Sequence, residues 1–127
     1  MGRIVHFEIL ADDPARAAKF YSDAFGWQVE KWKGPIEYWL VMTGPTDQPG
    51  IDGGIMQREG APGSGAATAF VNTIDVADLD AAMAEVKRHG GAITDAKRAV
   101  PGVGWMCYAN DTEGNRFGMM QSDTSAK

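Results

Sequence analysis

The stretch RIVHFEILADDPARAAKFYSDAFGW, residues 3–27, decides the fold. Residues Arg3–Leu10 read as a strand, because Ile4, Val5, Phe7 and Ile9 favour extended backbone. Alternation puts His6 and Glu8 on one face and Val5, Phe7 and Ile9 on the other. Asp13 then suits a helix N-cap, with Pro14 at the first helical position. Ala17, Ala18, Tyr21 and Phe25 follow at helical spacing, and Gly26 suits a left-handed cap at the end.

Outward from this stretch, Trp27–Trp32 and Glu37–Met42 read as strands joined through Lys33-Gly34-Pro35. A loop over Gly44–Gly50 leads to a short strand at Gly53–Gln57. The Gly/Ala/Ser-rich run 60–67 reads as a connector. The plan then begins again: strand Phe70–Val76, cap Asp78, and a stripe of Leu79, Ala82, Met83 and Val86 ended by Gly90-Gly91. Ala92–Val100, Val103–Asn110 and Arg116–Gln121 read as strands, with a turn over 111–115.

A shift of 65 positions lays Val71 on His6, Asp78 on Asp13, Ala82 on Ala17 and Gly91 on Gly26. Cap, stripe and terminating glycine agree in order, which points to an internal duplication. The chain is therefore expected to be one α+β domain of two βαβββ modules, about 1–59 and 68–127, joined by the connector. Each helix needs an apolar sheet face, which leaves the opposite face open. Two such modules are expected to form a curved mixed sheet with a concave ligand cup.

Composition narrows the function classes. The chain has 127 residues, 44% hydrophobic and 23% charged, which is enough for one core. A net charge of −5 and scattered Lys and Arg argue against nucleic acid, which needs a basic stripe. No apolar run reaches the length of a membrane span, and the start lacks a signal-peptide pattern. The lone Cys107 cannot form an internal disulfide, so a cytoplasmic location is expected. Only the polar tail 122–127 and the run 59–67 read as disordered by composition.

The run His6-Phe7-Glu8-Ile9, with Asp13-Pro14, Ala17-Ala18, Phe20-Tyr21 and Gly26-Trp27, resembles the opening of vicinal-oxygen-chelate proteins. These include glyoxalase I, bleomycin-resistance proteins and extradiol dioxygenases. Asp78–Gly91 and the turn at 111–115 with Arg116–Gln121 resemble the second module, and the chain looks closest to uncharacterised bacterial glyoxalase-like proteins. The resemblance implies a divalent metal held from the first and last strands of each module. His6 matches the first of those positions, but Val71 matches its counterpart and Gly118 stands where the last-strand carboxylate falls. The remaining place, near Gly53, Gly54 or Met56, carries no carboxylate. Three of the four places lack donors, so no cofactor or metal is expected.

The open face is expected to carry a ligand site of His6, Glu8, Trp39, Met56, Trp105 and Arg116. His6 and Glu8 are weak candidates for acid–base roles, the bland alternative being a polar pair that satisfies itself. Trp39 and Trp105 are equally ligand-stacking walls or core, and Met56, Met106, Met119 and Met120 favour gap-filling. Cys107 reads as an inert buried thiol, and His89 as a helix C-terminal cation. The expected function is binding of an unidentified small organic molecule by a homodimer. The alternatives are a metal-dependent lyase or dioxygenase with atypical ligands, or a non-catalytic drug-sequestering protein.

Overall fold

The computed structural model describes residues 2–59 and 69–127, so the connector expected over 60–67 lies outside the described residues. The elements run β1 (Arg3–Ala11), α1 (Pro14–Phe25), β2 (Gln28–Lys31), β3 (Tyr38–Met42), β4 (Gly53–Gln57), β5 (Phe70–Asp75), α2 (Leu79–Arg88), β6 (Ala92–Val100), β7 (Gly104–Asn110) and β8 (Arg116–Ser122). This is a mixed α+β fold of two βαβββ modules, as expected. The chain packs as two compact units, His6–Val71 and Met1–Val5 with Asn72–Lys127.

In the first module the strand order is β2-β3-β4-β1, with β1 parallel to β4 and the other pairs antiparallel. The second repeats this as β5-β8-β7-β6, with β5 parallel to β8. A parallel pair needs a long crossover, which the helix and two antiparallel strands supply. Both helices start on an aspartate whose side chain accepts an early backbone N–H: Asp13 from Arg16 and Asp78 from Ala81, each at 3.1 Å. Gly26 ends α1 at φ 73°, a left-handed cap that only glycine takes without cost.

Each helix covers one sheet face. Phe7, Ile9, Ala11, Val41 and Ile55 pack with Ala18 under α1, and Leu79, Cys107 and Met119 form the core under α2. Ile55, Leu79, Val41 and Cys107 are fully buried, and burying an aliphatic side chain of this size contributes about 1.5–3 kcal/mol. Pro14 and Leu79 open equivalent helices 65 positions apart, and Glu8 and Thr73, paired with Gly54 and Gly118, keep the same spacing.

Two local features depart from the sequence reading. β6 carries register irregularities between Ile93 and Asp95 and between Asp95 and Arg98. The tail is not disordered: Ala126 is buried, its carbonyl accepts the Gly102 N–H at 3.0 Å, and Asp123 accepts Ser125 Oγ at 2.6 Å. The polar composition of 122–127 serves a hydrogen-bonded turn rather than a solvated end.

Candidate functional site

In the first module, Phe7 and Ile9 point to the helix side, which leaves His6 and Glu8 on the opposite face. Tyr38 shares that opposite face, because its neighbour Trp39 packs with Val41 against the α1 core. The Tyr38 hydroxyl lies 2.7 Å from His6 Nε2. The two rings are nearly coplanar in orientation, 13° apart, with centroids 6.4 Å apart. This reach is possible because Tyr38 runs over Gly54, where any β-carbon would collide with the phenol ring. Glu8, paired across the strands with Gly54, is buried on the same face, and Met56 pairs with Tyr38. Leu40 and Met42 alternate with Tyr38 along β3 and are more than a third exposed.

Burial lowers the His6 pKa below its ordinary 6.5, and the negative charges of Glu8 and Asp52 only partly oppose this. His6 is therefore neutral at pH 7, one ring nitrogen donating and the other accepting. The pair offers a hydroxyl and an imidazole nitrogen that can exchange a proton or orient a carbonyl. Asp52 is anchored by the Thr43 N–H at 2.9 Å.

In the second module, the α2 core takes Cys107, Trp105, Phe117 and Met119, which turns Met106, Tyr108, Arg116 and Gly118 the other way. The Arg116 guanidinium sits 4.5 Å from the centroid of the Tyr108 ring and donates to Asp95 Oδ1 at 3.0 Å. Burial raises the Cys107 thiol pKa, with Asp95 adding to the effect, as befits an inert side chain. His89 lies 3.2 Å from Glu85 at the end of α2.

The two tryptophans correct the expected site. Trp39 and Trp105 both pack against the helix-side cores rather than on the face of His6 or Arg116. Each sits one residue from the tyrosine or methionine that faces the other way, so strand parity excludes them as walls of that face. Lys31 and Lys97 lie over the two rings at 5.8 and 5.2 Å, and Trp105 Nε1 donates to Asp123. Sequence reasoning missed Tyr38 altogether. The signal for it was parity with His6 through the strand pairing, combined with a glycine, Gly54, two residues from its cross-strand partner Met56.

The metal that the family resemblance implies does not fit these residues. Of the expected places, His6 bonds Tyr38, Val71 is a buried aliphatic, and among Gly53, Gly54 and Met56 none is a donor, Gly54 lying beneath the phenol. At Gly118 a β-carbon would already stand 3.2 Å from Tyr108 Cε1 and 3.3 Å from Thr73 Oγ1. Rings thus crowd both glycines where carboxylates would have to stand. Among the described residues no three His, Cys, Asp or Glu side chains gather in a metal-binding group.

The family model of the glyoxalase/bleomycin resistance protein/dioxygenase superfamily matches residues 3–119. A glyoxylase-like domain-containing protein from Didymella fabae is 36% identical over 118 residues, covering 90% of this chain and 89% of its own. Among solved structures, a methylmalonyl-CoA epimerase in complex with methylmalonyl-CoA superposes with a TM-score of 0.70 at 17% identity, covering 100% of this chain and 99% of that one. The methylmalonyl-CoA epimerase from Mycobacterium tuberculosis gives 0.68 at 15% identity, over 94% and 87% of the two chains. At such identities these structures speak for the fold alone. With a family model spanning almost the whole sequence and a relative above a third identical, the chain belongs to the glyoxalase/bleomycin resistance protein/dioxygenase superfamily.

Proposed function

We propose that this chain binds a small, partly apolar organic molecule without the superfamily's metal, on the first-module face carrying His6, Glu8, Tyr38 and Met56. The observation that carries the reading is the Tyr38 hydroxyl on His6 Nε2 at 2.7 Å, with the phenol over Gly54. A polar pair held in one geometry, beside the exposed apolar side chains of Leu40 and Met42, is the composition of a ligand-orienting surface. A ligand carbonyl or hydroxyl would meet the dyad, and its apolar part would cover Leu40 and Met42. Homodimer formation is part of this proposal, since β2 and β6 each end the strand order of a module.

The test is a fragment screen by NMR on metal-free protein, followed by His6→Ala and Tyr38→Phe. Binders should perturb the His6, Tyr38, Leu40 and Met42 signals saturably with chelator present, and both variants should weaken them. Binding that requires added metal, or that is unchanged in both variants, overturns the reading. Light scattering should give the mass of a dimer; a monomer at high concentration defeats that part.

A further inference from the structure

We infer that the exposed flank of α1, with Phe20 and Phe25 at its centre, is the surface on which a second copy of this chain docks, the two helices running antiparallel. The inference deepens the homodimer of the preceding proposal by naming its contact. It rests on that homodimer and not on ligand binding at His6.

Folding does not call for these two side chains. Phe20 and Phe25 are 58% and 64% exposed, although aromatic side chains stabilise a fold by being buried. The duplicated module supplies the comparison. Its helix α2 covers a sheet face as α1 does, and 65 positions on it has Glu85 for Phe20, followed by Gly90 for Phe25. A charged residue and a glycine therefore suffice where packing on the sheet is the only demand. In α1 the exposed rings are instead held together: the ring centres of Phe20 and Tyr21 are 5.0 Å apart, those of Phe20 and Phe25 6.5 Å, and those of Phe25 and Trp27 5.8 Å. Trp27 in turn meets the core residue Phe7 at 6.1 Å, which anchors the patch. Rings already ordered lose little freedom when a partner covers them. Ala17 and Ala24 extend the same flank at helical spacing from Phe20.

The charges along α1 select the partner. Arg16 and Lys19 stand in its first half and Asp23 in its second, so the sign reverses along the helix. Lys19 and Asp23 bond each other at 2.6 Å, yet their side chains stay 77% and 65% exposed and open to a second contact. An antiparallel copy centred on Tyr21 brings its Asp23 to Lys19, and the two-fold axis repeats the pair with the roles exchanged. The same register sets Phe25 opposite Ala17, a large side chain against a small one. Phe20 and Phe25 together leave roughly 200–300 Å² exposed, against about 800 Å² per partner in a stable interface. The patch is therefore the apolar centre of a contact rimmed by Arg16, Lys19 and Asp23, and the dimer it forms dissociates on dilution.

Sedimentation velocity on the full chain over a concentration series should show a monomer–dimer equilibrium. Phe20→Glu gives α1 the residue that α2 carries at the equivalent place. It should raise the dimer dissociation constant at least about tenfold, with an unchanged circular dichroism spectrum. Lys19→Glu and Asp23→Lys should each dimerise more weakly alone, because like charges then meet across the axis. Their equimolar mixture should recover the dimer, a result that a salt bridge within one helix does not produce. A dimer unaffected by Phe20→Glu, or a mixture no tighter than its two components, overturns the inference; the homodimer then stands, with its contact at β2 or β6. A monomer at every concentration overturns the inference and the homodimer together. A monomer that binds phosphatidylcholine vesicles, and loses them on Phe20→Glu, overturns both and gives the patch to a lipid surface. None of these outcomes bears on ligand binding at His6.

Discussion

Tyr38 lies across Gly54, and the missing side chain at one residue is what lets the other reach His6. Gly54 is one of the places where the resemblance to the family would put a carboxylate, and here the phenol of Tyr38 takes up that space. Gly54→Ala should push the ring aside and cost about 1–3 kcal/mol, as overpacking in a close-fitted site does. Chemical denaturation should show this loss, and it should shrink when Tyr38→Ala is already present. Additive costs in the double variant would show that the two residues do not compete for one space.

His6 makes stability depend on pH with a defined sign. Burial holds its folded-state pKa below 6.5, so between that lowered value and 6.5 the unfolded chain binds a proton that the folded chain refuses. The contribution of His6 to stability is therefore fully present above 6.5, declines as pH falls through this window, and is constant below it. NMR titration of the imidazole should give a midpoint below 6.5, and His6→Gln should flatten the stability profile there. A midpoint above 6.5 would mean that Glu8 and Asp52 outweigh desolvation.

The two helix caps are the same device used twice. Asp13→Ala and Asp78→Ala should each cost about 0.5–2 kcal/mol, since each leaves an N–H of the first turn without its carboxylate. Thermal melts of the two variants should show similar losses. A loss at one site only would separate the energetics of two modules that share their pattern.

Metal content follows from the donors. With Val71 and Gly118 at two of the four places and no donor among Gly53, Gly54 and Met56 at a third, purified protein should hold far less than one equivalent of zinc, nickel, iron or manganese. Chelator should leave the melting temperature unchanged, because an ion bound only to the folded state would raise it. Stoichiometric metal, with a melting temperature that falls on chelation, would mean that an atypical donor set exists.

Much of the fold was legible because it is written in local chemistry. Asp13, Asp78 and Gly26 act through their own backbone neighbours, and the alternation of His6 and Glu8 with Phe7 and Ile9 is a property of any strand. What stayed hidden needs contacts between strands. Nothing along β3 says that Tyr38 will bend over a glycine of β4, and the aromatic content of Trp39 and Trp105 suggested a ligand wall that strand parity forbids. The pairing of Arg98 with Met106 requires residues that β7 does not match one for one, which no alternation rule on β6 anticipates. The tail misled through composition: Asp123, Thr124 and Ser125 are polar because they close a turn.

The grouping of Met1–Val5 with Asn72–Lys127 bears on how the chain is made. Synthesis runs from N- to C-terminus, and domains generally fold in that order. Here the opening residues of β1 are made before β2–β4, yet the unit they belong to is completed only when β8 has been synthesised. The first helix and its strands can therefore settle while the front end of their own leading strand still waits. A translational pause before β5 would therefore lengthen the interval between making the opening of β1 and making the strands grouped with it.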